Sequence, residues 1–236
     1  MNRYFNCIVL GWLLVGNLAL ALTQEYPNPK SSSTINYIPS TFQSADHLTL
    51  HGHIALPSGK AGPFPTVLLL VGSGAGNRYG DIPSDMTSNH QPALLFQGIE
   101  TALVQSGIAV YSYDKRGVIP KDDTFLDNTV TSDYQTATAK NLASDALNAF
   151  DHLKSFPQVD SSRIALLGHS EGTALAMKIS EQRPEVTRFH GLEELLDCGF
   201  VNTAKKGRIS IDIFHFVVKF TYSKVKLICR PLLKMR

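Results

Sequence analysis

The sequence has little of several things, and each scarcity excludes something. Of three cysteines, Cys7 lies in the N-terminal apolar segment, which leaves Cys198 and Cys229. An exported protein could bridge that pair or keep two free thiols. Two cysteines make no disulfide framework, and their spacing carries no metal-ligand pattern. Net charge is only +2, so total charge makes no case for a nucleic-acid partner. The N-terminal apolar run, Ile8 to Leu18, is interrupted by Asn17 and lacks a basic stop-transfer flank. It falls short of the about 20 residues a spanning helix needs, and no stable membrane anchor is expected. Internal repeats and low-complexity segments are also missing.

What is present fits a globular protein. The 236 residues suffice for one domain with a substantial core, and 43% apolar with 18% charged residues is a folded composition. Arg3 precedes the apolar run, and Ala19-Leu20-Ala21 follows it with small residues where a signal peptidase reads. Residues 1–21 are therefore expected to be a signal peptide and the mature protein to be secreted or periplasmic. Residues 22–37, rich in Pro, Ser and Asn, read as an exposed leader.

From Ile38 the pattern becomes periodic. Leu48 to Leu56 alternates apolar and polar residues, the period of a half-exposed strand. Thr66 to Val71 and Ile108 to Tyr113 are continuous apolar runs, as in strands covered on both faces. Between them, Pro92 to Gln105 carries Leu95, Ile99, Ala102 and Leu103 at helical spacing, and Gly107 follows as a helix stop. The apolar stripe of Leu142, Ala146, Leu147, Phe150 and Leu153 predicts one long helix over Ser132 to Leu153. Ile164 to Leu167 predicts a strand, and Gly172 to Gln182 a helix. Strand and helix in alternation specify an α/β fold, a mostly parallel sheet flanked by helices. The pattern is lost near Val186. Residues 200–236 hold nine Lys or Arg and one acid, Asp212. The reading is thus a domain over 38–186 and a divergent basic tail over 187–236, which is either foreign to the fold, a surface-binding segment or a compact completion of the sheet.

Gly168-His169-Ser170-Glu171-Gly172 joins the predicted strand to the predicted helix. In such an elbow the serine sits on a sharp turn, and glycines two before and two after avoid clashes where backbones approach. The turn lifts the hydroxyl out at the carboxyl edge of the sheet, and the helix N-terminus favours a developing oxyanion. Acyl transfer needs two backbone N–H groups aimed at that oxyanion. Glu171 is expected to supply one, and Ser73 or Gly74 the other, from the loop Gly72-Ser73-Gly74-Ala75-Gly76-Asn77-Arg78. The rival reading is a phosphate-cradling loop, against which stands the absence of a Lys-Ser or Lys-Thr pair after its glycines.

Residues Ile38 to Pro184 resemble the α/β-hydrolase superfamily. They are most similar to its bacterial serine aminopeptidase-like and dienelactone hydrolase-like esterases. Three segments carry the resemblance: Val71-Gly72-Ser73-Gly74 with Asn77-Arg78, Tyr113-Asp114-Lys115-Arg116-Gly117-Val118, and Leu167-Gly168-His169-Ser170-Glu171-Gly172. The resemblance implies Ser170 as nucleophile, Ser73 and Glu171 amides as oxyanion hole, and a small ester or acyl substrate, with no metal or cofactor. It also implies a structural role for Asp114 and Arg116, as an ion pair shaping the loop beside the site.

In that fold an acid and then a histidine follow the serine in the chain. The segment after Ser170 is short for the strands that usually carry them, so the sheet is expected to be incomplete at the C-terminus. His215 is the candidate base and Asp212, three residues before it, the candidate acid. His51, His53, His90 and His152 precede the serine and are read as bystanders. The functional expectation is an exported serine esterase with an acyl-enzyme intermediate. Its rivals are a peptidase or acyltransferase on the same machinery, and a degenerate hydrolase that keeps the shell of the site without an acid and base.

Overall fold

Why the apolar runs become strands is visible in where alternate residues go. The computed structural model describes residues 26–82, 84 and 90–186, with the backbone of strands at 188–192, 201–205, 208–210, 216–221 and 224–229. The first strands are β1 (Ile35–Gln43), β2 (Thr49–Pro57) and β3 (Phe64–Leu70). Two short ribbons are formed by β4 (Asp81–Ile82) with β5 (Ala93–Leu94), and by β7 (Val118–Pro120) with β8 (Asn128–Val130). The remaining strands are β6 (Ala109–Tyr113), β9 (Val159–His169), β10 (Arg188–Leu192), β11 (Val201–Lys205), β12 (Arg208–Ser210), β13 (Phe216–Thr221) and β14 (Lys224–Cys229). The described residues also form the helices α1 (Leu95–Gln105), α2 (Ser132–Gln135), α3 (Ala139–Leu153) and α4 (Glu171–Gln182).

The main sheet has the order β1-β2-β6-β3-β9-β10-β11-β12. Its centre, β6-β3-β9-β10, is parallel, while β1, β2, β11 and β12 are antiparallel to their neighbours. In β3, Leu68 and Leu70 pack into one core with Phe150 and Leu153 of α3 and Ala176 and Ile179 of α4. Leu69 and Val71 face the other way, onto Phe96, Ile99, Leu103 and Val104 of α1. A period of two with both faces covered needs apolar residues at every position, which is why this run looked continuous. Burying each such leucine contributes about 1.5–3 kcal/mol, so β3 alone is a major share of the core.

Strand order fixes where a site can form. From β3 the chain passes through α1 to β6 on one side, then through α3 to β9 on the other. The carboxyl end of β3 is therefore a switch point, where an open α/β sheet leaves a crevice. The glycine-rich loop and the elbow both lie at this edge.

The long helix expected over Ser132 to Leu153 is two helices. Thr138 accepts a hydrogen bond from the Asn141 backbone N–H, and the Asn141 side chain accepts from the Thr138 N–H, a capping box that starts α3 afresh. Thr131 caps α2 more simply, its hydroxyl accepting from the Asp133 N–H. Helix α1 begins at Leu95 and not at Pro92, because Ala93 and Leu94 pair with Ile82 and Asp81. Past Val186, β10 continues the sheet in parallel register with β9, from Arg188 opposite Ala165 to Leu192 opposite His169. The segment expected to be a signal peptide, Cys198 and the side chain of Cys229 lie outside the described residues.

Candidate active site

The elbow is held by contacts that only glycine permits. Ser170, between β9 and α4, has φ 50° and ψ −120°, a conformation that costs a non-glycine residue of order 1–3 kcal/mol. A β-carbon on Gly168 would lie 2.3 Å from the Gly172 carbonyl oxygen, and one on Gly172 would lie 2.1 Å from that of Leu70. The turn is pinned by Thr173, whose N–H donates to the Ser170 carbonyl at 2.9 Å and whose hydroxyl donates to that of Gly168 at 3.1 Å. Ser170 is exposed, and its hydroxyl makes no capping bond to α4. That leaves it open to a reactant at the positive end of a helix.

The glycine-rich loop comes directly against the serine. A β-carbon on Gly72 would sit 3.1 Å from Ser170 Cβ and 2.8 Å from His169 Nδ1, so no larger residue could bring the loop this close. The structure thus gathers Ser170, Glu171, Ser73 and Gly74 at one edge. Among the described residues, the backbone N–H groups of Ser73 and Glu171 donate to no protein acceptor. His215 and Asp212 lie outside the described residues.

Buried ionic contacts hold the loop in place. Arg78, 1% exposed, donates to both oxygens of Asp114, with Nη2 to Oδ2 at 2.6 Å, and its Nη1 donates to the Gly52 carbonyl at 3.1 Å. The Arg78 backbone N–H also reaches Asp114 Oδ1 at 2.8 Å. Asn77 donates from its side chain to the Phe125 carbonyl and to Asn128 Oδ1, while Asn128 donates to the Ala75 carbonyl and to Asp81 Oδ2. Burial pushes the Asp81 carboxyl up. Lys115 donates to the carbonyls of Gly72 and Gly74 and to Glu171 Oε2.

Asp114 and Arg116 are structural and buried, as expected, but they do not pair with each other. Asp114 takes Arg78, and Arg116 reaches back to Asp145 on α3 at 2.7 Å and to Asp46 at 2.9 Å. The two stand on either side of Lys115, past the end of β6 and just before the turn at Gly117 (φ 66°), and each finds a partner distant in sequence. The hydrogen bonds from Arg116 hold the Asp46 carboxyl below the usual range. Lys115 was missed altogether. It lies between Asp114 and Arg116, and a lysine between two charged neighbours gives no sequence sign of its burial.

Of the histidines before the serine, His51, His53 and His152 have partners away from the elbow. His53 is fully buried with Nε2 2.7 Å from Glu100 Oε2, and Tyr37 donates to the other oxygen of Glu100 at 2.6 Å. Burial beside that carboxylate pushes the Tyr37 hydroxyl well up. His152 lies 2.7 Å from the Ser40 hydroxyl, and His51 stacks on Tyr26. His169 packs edge-on to Phe96.

The family model described as acetyl xylan esterase (AXE1) matches residues 24–192. Esterase EstD of Thermotoga maritima is 36% identical over 146 residues, which cover 61% of this chain and 31% of that protein. The crystal structure of hypothetical protein PA2218 from Pseudomonas aeruginosa aligns with TM-score 0.51 and 17% identity, over 73% of this chain and 47% of that one. Acetyl xylan esterase 1 from Thermoanaerobacterium sp. JW/SL YS485 aligns with TM-score 0.49 and 17% identity, over 70% and 50%. The chain therefore spans about a third of the esterase and about half of the two solved structures.

Proposed function

The chain belongs to the acetyl xylan esterase (AXE1) family and has the α/β-hydrolase fold, and from that footing we propose that it is an exported serine hydrolase of carboxylic esters working through an acyl-enzyme. The observation that carries the reading is the strained, exposed Ser170, set between two glycines that admit nothing larger and pressed against the Gly72 loop. Strain of this kind persists only where the surroundings enforce it. Export rests on the N-terminal segment ending at Ala21. Short acyl esters, acetyl esters of carbohydrate among them, are the substrate class, drawn from the family's description.

In the proposed reaction Ser170 Oγ attacks the ester carbonyl carbon and its proton passes to a general base. The carbonyl oxygen becomes an oxyanion, held by the Ser73 and Glu171 amides. Collapse expels the alcohol, which takes the proton, and leaves the acyl group on Ser170. Water then repeats the attack and releases the acid, restoring the hydroxyl. The base and its acid come from the residues after the elbow, with His215 and Asp212 the sequence candidates.

A fluorophosphonate probe with peptide mapping tests the reading. Ser170 is expected to carry the label, and Ser170→Ala to lose both label and p-nitrophenyl acetate turnover by roughly 10⁴-fold or more. Folded wild-type protein that takes no label would point to a degenerate fold that has kept only the shell of the site.

A further inference from the structure

Lys115 follows β6 and its side chain is 5% exposed. Burying an ammonium costs several kcal/mol unless its donors are matched. An ammonium has three donors, and here they meet the Gly72 carbonyl at 2.5 Å, Glu171 Oε2 at 2.7 Å and the Gly74 carbonyl at 3.3 Å. The Lys115 backbone N–H also donates to the Gly76 carbonyl, at 3.5 Å. One side chain thus joins the glycine-rich loop to the residue directly after Ser170.

The direction of these bonds matters more than their number. A trans peptide unit is planar, with its C=O and N–H pointing opposite ways. With the Gly72 carbonyl aimed at Lys115, the Ser73 N–H must face away from it, and Gly72 itself lies against Ser170. The Gly74 N–H belongs to the plane of the Ser73 carbonyl, to which Lys115 makes no bond. Glu171, whose own N–H opens α4, is tethered to the same nitrogen. The ammonium and the Glu171 carboxylate neutralise each other, so the effect is one of aim and not of net charge on the oxyanion.

We propose that Lys115 is a positioning residue that presets the oxyanion hole, fixing the peptide that carries the Ser73 N–H and holding Glu171 beside it. It follows that Ser73 and not Gly74 is the loop donor. The inference rests on the reading of Ser170 as nucleophile, since without an oxyanion there is nothing to aim at.

The test is made on the full chain with p-nitrophenyl acetate. Lys115→Met is expected to lower kcat by about 10²-fold, the scale of a misplacement of about 1 Å at a reacting centre, with KM within about threefold. Lys115→Cys alkylated with bromoethylamine restores an ammonium at the same length, and should recover kcat to within a few-fold of wild type treated in the same way. A purely structural lysine would instead shift the urea midpoint and leave kcat per folded molecule unchanged. That result, or failure of rescue in folded protein, overturns the proposal. Should the variants not fold, a structure of wild-type protein with a phosphonate on Ser170 decides. The phosphoryl oxygen is expected on the Ser73 and Glu171 N–H groups, with Lys115 still on the Gly72 carbonyl, and an oxygen on the Gly74 N–H overturns it. Wild-type protein that takes no label removes the serine-hydrolase reading and this inference together. Labelled wild type with undiminished Lys115→Met turnover removes the inference alone.

Discussion

Arg78 and Asp114 close on each other through paired donors and acceptors, both side chains almost wholly buried, and the pair ties the loop after β3 to the end of β6. Removing one partner leaves the other charged in the core. Such a loss typically costs about 3–5 kcal/mol. Arg78→Met is therefore expected to lower the urea unfolding free energy by that order. Asp114→Asn should cost less, because its amide oxygen still accepts from the guanidinium. A midpoint unchanged in Arg78→Met would mean that the loop is held by the Asn77 and Asn128 contacts alone.

The backbone at Ser170 gives a prediction of opposite sign. Its φ of 50° penalises any side chain, and glycine relieves that at the cost of a freer unfolded chain. The relief is the larger quantity, so Ser170→Gly is expected to raise stability by about 1 kcal/mol while abolishing the fluorophosphonate label. Ser170→Ala keeps the strain and should leave stability nearly unchanged. A destabilised Ser170→Gly would show that the turn is not strained in solution.

What could be read from the sequence follows from how local each cause is. The doubly buried strand β3 announced itself because Leu68 to Val71 are apolar at every position, and the elbow because glycine spacing is itself the steric requirement. The break between α2 and α3 was local too, in Thr138 and Asn141, but the apolar stripe running through it masked the cap. Lys115, Arg78 and Arg116 were out of reach. Their partners stand 56, 36 and 29 residues away, and only the crossover connections bring them together.

Two half-buried histidines set an acid-side pH dependence. Burial lowers the pKa of His152 and of His51 below the ordinary 6.5. Each therefore binds its proton more tightly unfolded than folded, so stability is fully present above about pH 6.5 and falls as pH drops through the folded values. Asp151 and Glu185, held low by Arg183 and Lys154, add nothing to the slope until more acid conditions. Asp81, pushed up by burial, works in the opposite sense, so a difference between proteins is the better measure. The loss of urea midpoint between pH 7.5 and pH 5 is expected to be smaller in His152→Gln than in wild type. Equal slopes would place His152 in water in the folded state.

Glycine in α4 sets two effects against each other. Gly172→Ala should gain about 1 kcal/mol from helix propensity. Its new methyl, however, would lie 2.1 Å from the Leu70 carbonyl oxygen and 2.8 Å from that of Val71. Both obstacles are backbone, so relief requires β3 to part from the elbow, and overpacking of this kind costs typically 1–3 kcal/mol or more. The loss outweighs the gain. Gly107, just after α1, has φ 84° and open space around its α-carbon, so Gly107→Ala should cost only the about 1–2 kcal/mol of a left-handed alanine. The two variants then separate by function more than by stability. Gly172→Ala is expected to slow labelling of Ser170 at least tenfold in the molecules that remain folded, because the Gly72 loop moves with β3. Gly107→Ala, on the far side of the switch point, should label at the wild-type rate. Equal labelling rates in the two would show that the approach of β3 to the elbow does not set the geometry of the site.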